Sequence, residues 1–295
     1  MNDVDAAIVT FGGAEDMRGC LARLQSQTQP VAKVFVIDNS PDDSVRSAVE
    51  DADVIYVANA TNVGYAAAMN QAYALSTAPY LLSLNADCLL DPGYLGACVN
   101  ALDADARIAA VTGTLRLPTA AIDSTGIVIT AYRTAVERDR RRAAPSADAG
   151  APFGVSGAAA VWRRAALDSV GPEPWWAWLF VYWDDVEIAW RLRRRGWTFA
   201  HAPRATAIHK RGSDSAAPDF IEAQSLRNRV ATVARHEGLR GLVAARPLAY
   251  NALTVARLAL RHPRALMRAD PVGAARAGLR ERGHDVGLGR SPAVS

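Results

Sequence analysis

Residues Tyr80–Asp87 read YLLSLNAD. Leu81, Leu82 and Leu84 are the makings of a buried strand. Asn85 and Asp87 follow at its end with one residue between them, so their side chains point the same way. The pattern recurs upstream. AAIVTFGG, from Ala6 to Gly13, is an apolar run carrying Thr10 and stopped by glycines. VAKVFVIDNS, from Val31 to Ser40, ends on Asp38 and Asn39, and DVIYVAN follows from Asp53 to Asn59. Helical stretches separate these runs. In MRGCLARLQSQTQ the residues Met17, Cys20, Leu21 and Leu24 share one helical face, and AAAMNQAYALST reads as the next helix. Such alternation predicts an α/β fold with a parallel sheet covered by helices on both faces. Ligands of these sheets bind at the carboxyl ends of the strands, where Thr10, Asp38, Asn39, Asn85 and Asp87 all fall.

A second stretch, FVYWDDVEIAWRLRRRGW from Phe180 to Trp197, turns abruptly from aromatic to acidic to basic. Read as a helix starting near Asp184, it is well formed. Asp184, Asp185 and Glu187 face the positive end of the helix dipole, arginines occupy the last turns, and Gly196 is placed to cap it. Glu187 and Arg191 are spaced for an ion pair. A capped helix does not account for Trp175, Trp176, Trp178, Phe180, Tyr182 and Trp183 just before it. A carboxylate against such a wall is partly desolvated, which raises its pKa and suits it to accept a proton. Flat aromatic faces also stack on the C–H faces of sugars. Asn85 and Asp87 suit a hard divalent cation, which in turn can hold a diphosphate. His209, at the end of the strand-like WTFAHAPRATAIHKRGS, is a candidate to complete the shell.

Composition narrows the class. Half of the 295 residues are apolar, enough for a substantial core, and the net charge is +3. From about Leu226 onward there are many arginines, no lysine and few acids. That imbalance suggests an anionic partner such as a membrane surface, or else a solvated helical face. Cys20, Cys88 and Cys98 lack metal-ligand spacing and read as reduced thiols of a cytosolic protein. The start, MNDVDAAIVTFGG, carries early acids and no basic leader, and no apolar run reaches spanning length. ERDRRRAAPSADAGAP, residues 137–152, reads as a mobile surface loop. FGVSGAAAVWRRAAL reads as a strand of small residues leading into a helix. There is neither a GxxxxGK[ST] loop nor a GxGxxG.

Taken in order, the pieces resemble the family 2 inverting glycosyltransferases of GT-A fold. The segments that carry the resemblance are AIVTFGG, VFVIDNSPDDS, NATNVGYAAAMNQAY, LLSLNADCLLDPGYL, VSGAAAVWRRAALDSVG, FVYWDDVEIAWRLRRRGW, IHKRGSD and SLRNRV. The resemblance implies a GT-A fold, with a mostly parallel Rossmann-like sheet flanked by helices and a helical, basic C-terminal extension. It implies a catalytic domain over residues 1–215, with a nucleotide-sugar half to about 115 and an acceptor half over about 150–215, and a helical region over 216–295. Carried over by position, Thr10, Asp38, Asn62, Gly64 and Asn85 would contact the donor. Asp87 would contact it too and, with His209, would hold Mg2+ or Mn2+. Asp185 would be the catalytic base, and Trp176, Trp183 and Asp184 would meet the acceptor. Glu187 would be an acceptor contact or structural. The donor implied is a UDP- or dTDP-sugar and the acceptor a glycan or lipid-linked hydroxyl. Asn85 replaces the first acid of a full D-x-D, and Gln71 stands where a glycine is common. LNADC is similar to the rhamnosyltransferase branch and Trp183-Asp184-Asp185 to the galactofuranosyltransferase branch. Two other readings remain open at this point, a nucleotidyltransferase acting on sugar phosphates and a non-catalytic nucleotide-sugar-binding module. A cytoplasmic location, peripheral on the membrane face, and a homodimer are also expectations.

Overall fold

A computed structural model of the chain describes residues 3–146, 150–211 and 216–287, with side chains to residue 282. Gly212, Ser213 and Asp214 of the IHKRGSD match, and residues 147–149 of the expected loop, lie outside the described residues. The chain divides into two compact units. The first takes Met1–Val128, Glu137–Phe180 and Asp184–Asp214, and the second takes Ile129–Val136, Val181–Trp183 and Ser215–Ser295.

The first unit is built on strands β1 (Val4–Thr10), β2 (Lys33–Asp38), β3 (Ile55–Ala58), β4 (Tyr80–Asn85), β5 (Cys88–Leu90), β6 (Ile108–Arg116), β7 (Ile122–Ser124), β10 (Ala159–Arg163) and β11 (Thr198–His209). Two short strands, β8 (Ile127–Ile129) and β9 (Ala135–Glu137), pair with each other. The main sheet runs β3-β2-β1-β4-β10-β6-β11-β5, with β7 beside β6. Strands β3, β2, β1 and β4 are parallel, as the alternation with helices requires. Strand β10 then enters antiparallel between β4 and β6, so the far half is mixed. Strand β11 returns parallel to β6, and β5 and β7 run antiparallel at the margin. The carboxyl ends of β1, β2, β4, β6 and β11 therefore share one edge.

Side-chain alternation puts helices on both faces. Val36 and Leu82 join the cluster that receives Met17, Cys20, Leu21 and Leu24 of α1 (Ala14–Gln25). Phe35, Ile37 and Leu81 join the opposite cluster with Ala66, Met69, Ala72 and Tyr73 of α3 (Tyr65–Leu75). Each large apolar side chain buried here contributes about 1.5–3 kcal/mol. Helices α2 (Ser44–Val49), α4 (Tyr94–Ala104), α5 (Arg164–Asp168) and α6 (Asp184–Arg194) complete the unit. Helix α6 is the helix expected from its sequence, and Gly196 follows it at φ +90°. Cys20, Cys88 and Cys98 are buried free thiols.

The expected loop over 137–152 needs correction at its start. Glu137 closes β9, and Arg138 is buried, its Nε donating to Thr125 Oγ1 at 2.8 Å. The second unit is helical: α7 (Pro218–Glu237), α8 (Leu239–Val243), α9 (Ala245–Arg261), α10 (Pro263–Ala269) and α11 (Pro271–Gly287). Arg133 and Glu237 pair at 2.8 Å within it. Asn228, fully buried, donates from Nδ2 to the carbonyls of Val181 and Tyr182 at 2.8 Å each. Among the described residues no helix is long and apolar enough to cross a membrane.

Candidate active site

At the end of β2 the Asp38 carboxylate is buried. It accepts from Tyr56 Oη at 2.6 Å through Oδ2 and from the Ser40 N–H at 2.8 Å through Oδ1. Its backbone neighbour Asn39 takes the Asn59 amide at 2.9 Å and the Val63 N–H at 3.3 Å. Asn59 and Gln71 exchange two side-chain bonds, at 2.9 and 3.0 Å. Gln71, where the resemblance expects glycine, thus braces the loop before α3. Thr10 lies at the end of the neighbouring strand, with its hydroxyl donating to the Gly12 carbonyl. Asn62 is exposed and its Oδ1 receives the Gly64 N–H at 2.8 Å, a local turn. Gly64 itself is buried at φ +85°, with Phe180 packed where a side chain would stand.

Asn85 ends β4, half-buried, and its N–H donates to the Ala158 carbonyl at 2.9 Å. Two residues on, Asp87 is buried, and its Oδ1 lies 3.3 Å from His209 Nε2 at the end of β11. His209 Nδ1 donates to Asp123 Oδ2 at 2.7 Å, and Arg211 Nε binds Asp123 Oδ1 at 2.6 Å. Burial alone would raise the Asp123 carboxyl, but His209 and Arg211 hold it below the usual carboxylate range. Burial pulls the His209 imidazolium down, and its bonds to Asp123 and Asp87 outweigh that and lift it to about 9. Among the described residues no group of three or more His, Cys, Asp or Glu is arranged to hold a metal. What the edge offers is one carboxylate and one imidazole close enough to touch a single cation. Asp123 orients the ring from behind, the usual arrangement for a ligating histidine.

The third cluster surrounds the start of α6. Its three acids differ sharply. Glu187 is 0% exposed and held by Arg191 through Nε at 3.0 Å to both oxygens and Nη2 at 2.8 Å, and Arg191 also bonds the Pro174 carbonyl. It presents no surface to an acceptor, so of the two expected roles the structural one fits. Asp184 is buried, while Asp185 is partly exposed. Asp185 Oδ2 accepts the Gly157 N–H at 3.3 Å, and Oδ1 accepts the Val186 N–H at 2.8 Å. Burial first, and then the charge of Asp184, push Asp185 well above the ordinary carboxylate range. Burial likewise raises Asp184. Gly157 lies just before β10, whose first residue pairs with Leu84. The same short stretch therefore touches both Asp185 and the β4 end that leads to Asp87. Trp176 is half-buried and stacked on Trp178, ring centroids 5.1 Å apart. Trp175 is core, packed edge-on against Trp162 and Tyr73. Trp183 belongs to the second unit, with φ +68°.

Sequence reasoning missed several contributors. Tyr65 Oη donates to the Gly157 carbonyl at 3.3 Å. Burial, then the charges of Asp184 and Asp185, push its phenol well above the usual range. Glu137 is reached by Ser156 Oγ at 3.5 Å and Arg211 at 3.4 Å. Burial, partly offset by a Ser124 hydrogen bond and reinforced by the charge of Asp185, lifts it to about 7. Asp123 was missed as well. The one available signal was the alternation in IDSTGIVIT, residues 122–130, which marks strands around a glycine turn. A shallow concavity lined by Leu21, Leu24, Val31 and Ile55 lies at the other edge of the sheet, away from all of these.

The sequence profile of Glycosyl transferase family 2 matches residues 5–171, more than half of the chain. The chain belongs to glycosyl transferase family 2. The match ends before Asp184, Asp185 and His209. The chain is 22% identical over 208 residues to the poly-beta-1,6-N-acetyl-D-glucosamine synthase of Staphylococcus aureus (strain COL), covering 67% of this chain and 47% of that protein. The protein of the same name from Staphylococcus epidermidis is likewise 22% identical over 208 residues. The chain thus spans less than half the length of these curated relatives. Among solved structures, GalNAc-T7 with UDP, GalNAc and Mn2+ superposes with a TM-score of 0.63 at 13% identity, covering 80% of this chain and 48% of that one. The mannosyltransferase PcManGT from Pyrobaculum calidifontis, in complex with GDP-Man and Mn2+, has a TM-score of 0.60 at 18% identity, covering 97% and 87%. At such identities the likeness is one of fold, and that fold is GT-A.

Proposed function

We propose that this glycosyltransferase moves a sugar from a nucleotide-diphosphate donor, UDP- or dTDP-linked, onto a hydroxyl of a glycan or lipid-linked acceptor in polysaccharide or cell-wall synthesis, with inversion at the anomeric carbon. The donor base and ribose lie against Thr10 and Asp38, and the loop of Asn62 and Gly64 lines the donor pocket beside Asn85. Asp87 and His209 would hold a divalent cation, Mg2+ or Mn2+. Both solved relatives named above contain Mn2+. When bound, the cation offsets charge developing on the departing diphosphate. Trp176 and Asp184 form the acceptor side. Asp185 takes the proton of the acceptor hydroxyl while its oxygen attacks the anomeric carbon from the face opposite the diphosphate. The sugar changes hands in one displacement, without a covalent enzyme intermediate.

The observation that carries this reading is the position of Asp185. It is the partly exposed acid of the first turn of α6, made more basic by burial, and it is tied through Gly157 to the strand edge that also bears Asp87. Replacing Asp185 by Asn keeps an acceptor oxygen for one of the two backbone N–H donors, Gly157 or Val186, and removes the base. The expected result is a turnover loss of roughly a hundred- to ten-thousand-fold with donor affinity unchanged. Full turnover in that variant overturns the assignment. A thermal-shift panel of UDP-, dTDP- and GDP-sugars, including the rhamnosyl and galactofuranosyl donors, with and without Mg2+ or Mn2+, reads the base and the metal requirement. Release of nucleoside diphosphate rather than pyrophosphate separates sugar transfer from nucleotidyl transfer.

A further inference from the structure

Helix α9 carries two apolar faces. Pro247, Thr254 and Leu258 are buried in the second unit. At 100° per residue Leu253 and Leu260 fall on another side, with Ala249, Ala252 and Ala256 around them, and all five are exposed. Leu253 is 72% and Leu260 86% exposed, and large apolar side chains continue outward on the flanking helices, with Val243 61% and Met267 80% exposed. Single exposed leucines are ordinary, but an unpartnered face on a helix already buried along another is not. The same segment is strongly basic. Arg240, Arg246, Arg257, Arg261, Arg264 and Arg268 are all exposed, and residues 238–269 contain no Asp or Glu.

We propose that the outward face of α8–α10 is a docking surface for an anionic lipid bilayer. The helices lie in the interface, with Leu253, Leu260 and Met267 entering the headgroup–acyl boundary and the arginines reaching lipid phosphates. Charge selects this occupant over a second copy of the chain. A two-fold contact sets the same patch against itself, which brings arginines against arginines with no acid in the segment to receive them. This surface owes nothing to the sugar-transfer reading, and its test uses no donor or acceptor.

The full chain is sedimented with vesicles of phosphatidylcholine alone and of phosphatidylcholine mixed with phosphatidylglycerol, at low and at high salt. Its oligomeric state is measured in parallel. Partition is expected into the mixed vesicles only, falling with salt. Each arginine near an anionic surface is worth about fivefold, so Arg261→Ser/Arg264→Ser/Arg268→Ser lowers partition about a hundredfold. Leu253→Glu/Leu260→Glu lowers it at least about tenfold while the far-ultraviolet dichroism and thermal midpoint stay those of the wild type. Three results overturn the proposal: no partition by the wild type, equal partition into neutral vesicles, or a dimer that Leu253→Glu/Leu260→Glu dissolves.

Discussion

Gly12 and Gly64 both stand in left-handed backbone, at φ +76° and +85°, and differ in what surrounds them. A methyl group built on Gly12 meets nothing within 4 Å, whereas on Gly64 it stands 2.4 Å from Phe180 Cδ2 and 2.7 Å from the Phe180 carbonyl oxygen. Alanine costs about 1 kcal/mol at Gly12 for the positive φ, and about 1–3 kcal/mol at Gly64, whose ψ of 162° lies in a region that is essentially glycine's alone. Only Gly64→Ala adds a second cost. The Phe180 carbonyl is main chain and accepts the Ala66 N–H at 3.1 Å, so relief means moving that carbonyl and weakening the bond, about 1 kcal/mol. Displacing the packed Phe180 ring adds about 1–3 kcal/mol. The expected destabilisation is therefore about 1 kcal/mol for Gly12→Ala and about 3–7 kcal/mol for Gly64→Ala. Urea unfolding followed by tryptophan fluorescence, without ligand, reads both against the wild type. Equal losses at the two glycines would refute the packing argument, since Gly64→Ala carries at least the conformational term of Gly12→Ala.

Asp184→Asn removes the second cause of the raised Asp185 pKa and leaves burial in place. A base works deprotonated, so the acidic limb of kcat/KM starts above the ordinary carboxylate range and moves to lower pH in this variant; an unmoved limb counts against Asp185 as the titrating group. Stability carries the opposite sign from a salt-bridged acid. With a folded pKa above its unfolded value, each of these carboxyls favours folding while protonated, and stability falls as pH rises through the folded pKa. Asp184→Asn should flatten that fall in urea titrations repeated across the acidic to neutral range. Arg191→Leu leaves the sealed Glu187 carboxylate without its guanidinium and should cost about 3–5 kcal/mol, whereas Glu187→Leu/Arg191→Leu recovers most of it; a loss below about 1 kcal/mol in the single variant shows the pair to be weak.

The elements that were legible in sequence are those set by local period. Met17, Cys20, Leu21 and Leu24 face the core as their spacing requires, and Thr10, Asp38 and Asn85 end their strands on the shared edge. The antiparallel entry of β10 between β4 and β6 was not legible, because it is decided by pairing across distant sequence. The start of the stretch 137–152 reads as loop in the sequence for a related reason. Its run of arginines resembles solvated loop, yet Asp123 acquires its meaning from His209, 86 residues away, and Glu137 from Arg211, 74 away. Nothing near Asp123 or Glu137 in the chain announces those partners. Tyr65 escaped notice because a tyrosine at the start of a helix is commonplace until its hydroxyl is found on Gly157.

The crowding of Asp184, Asp185 and Glu187 has a physical resolution that also bears on which of them does chemistry. Three like charges in one helical turn are tolerable only if their environments differ. Glu187 is neutralised by a buried arginine one turn along, so its charge is spent inside the protein. Asp184 is buried and raised by that burial, so near neutrality it carries its proton more readily than an exposed acid. Asp185 keeps one oxygen on the Val186 N–H at the positive end of the helix and the other on Gly157, and remains partly open to solvent. The two hydrogen bonds fix the direction of its carboxylate, and burial and Asp184 raise its affinity for a proton. A general base needs both properties at once, and among these three acids Asp185 alone combines them with access from outside.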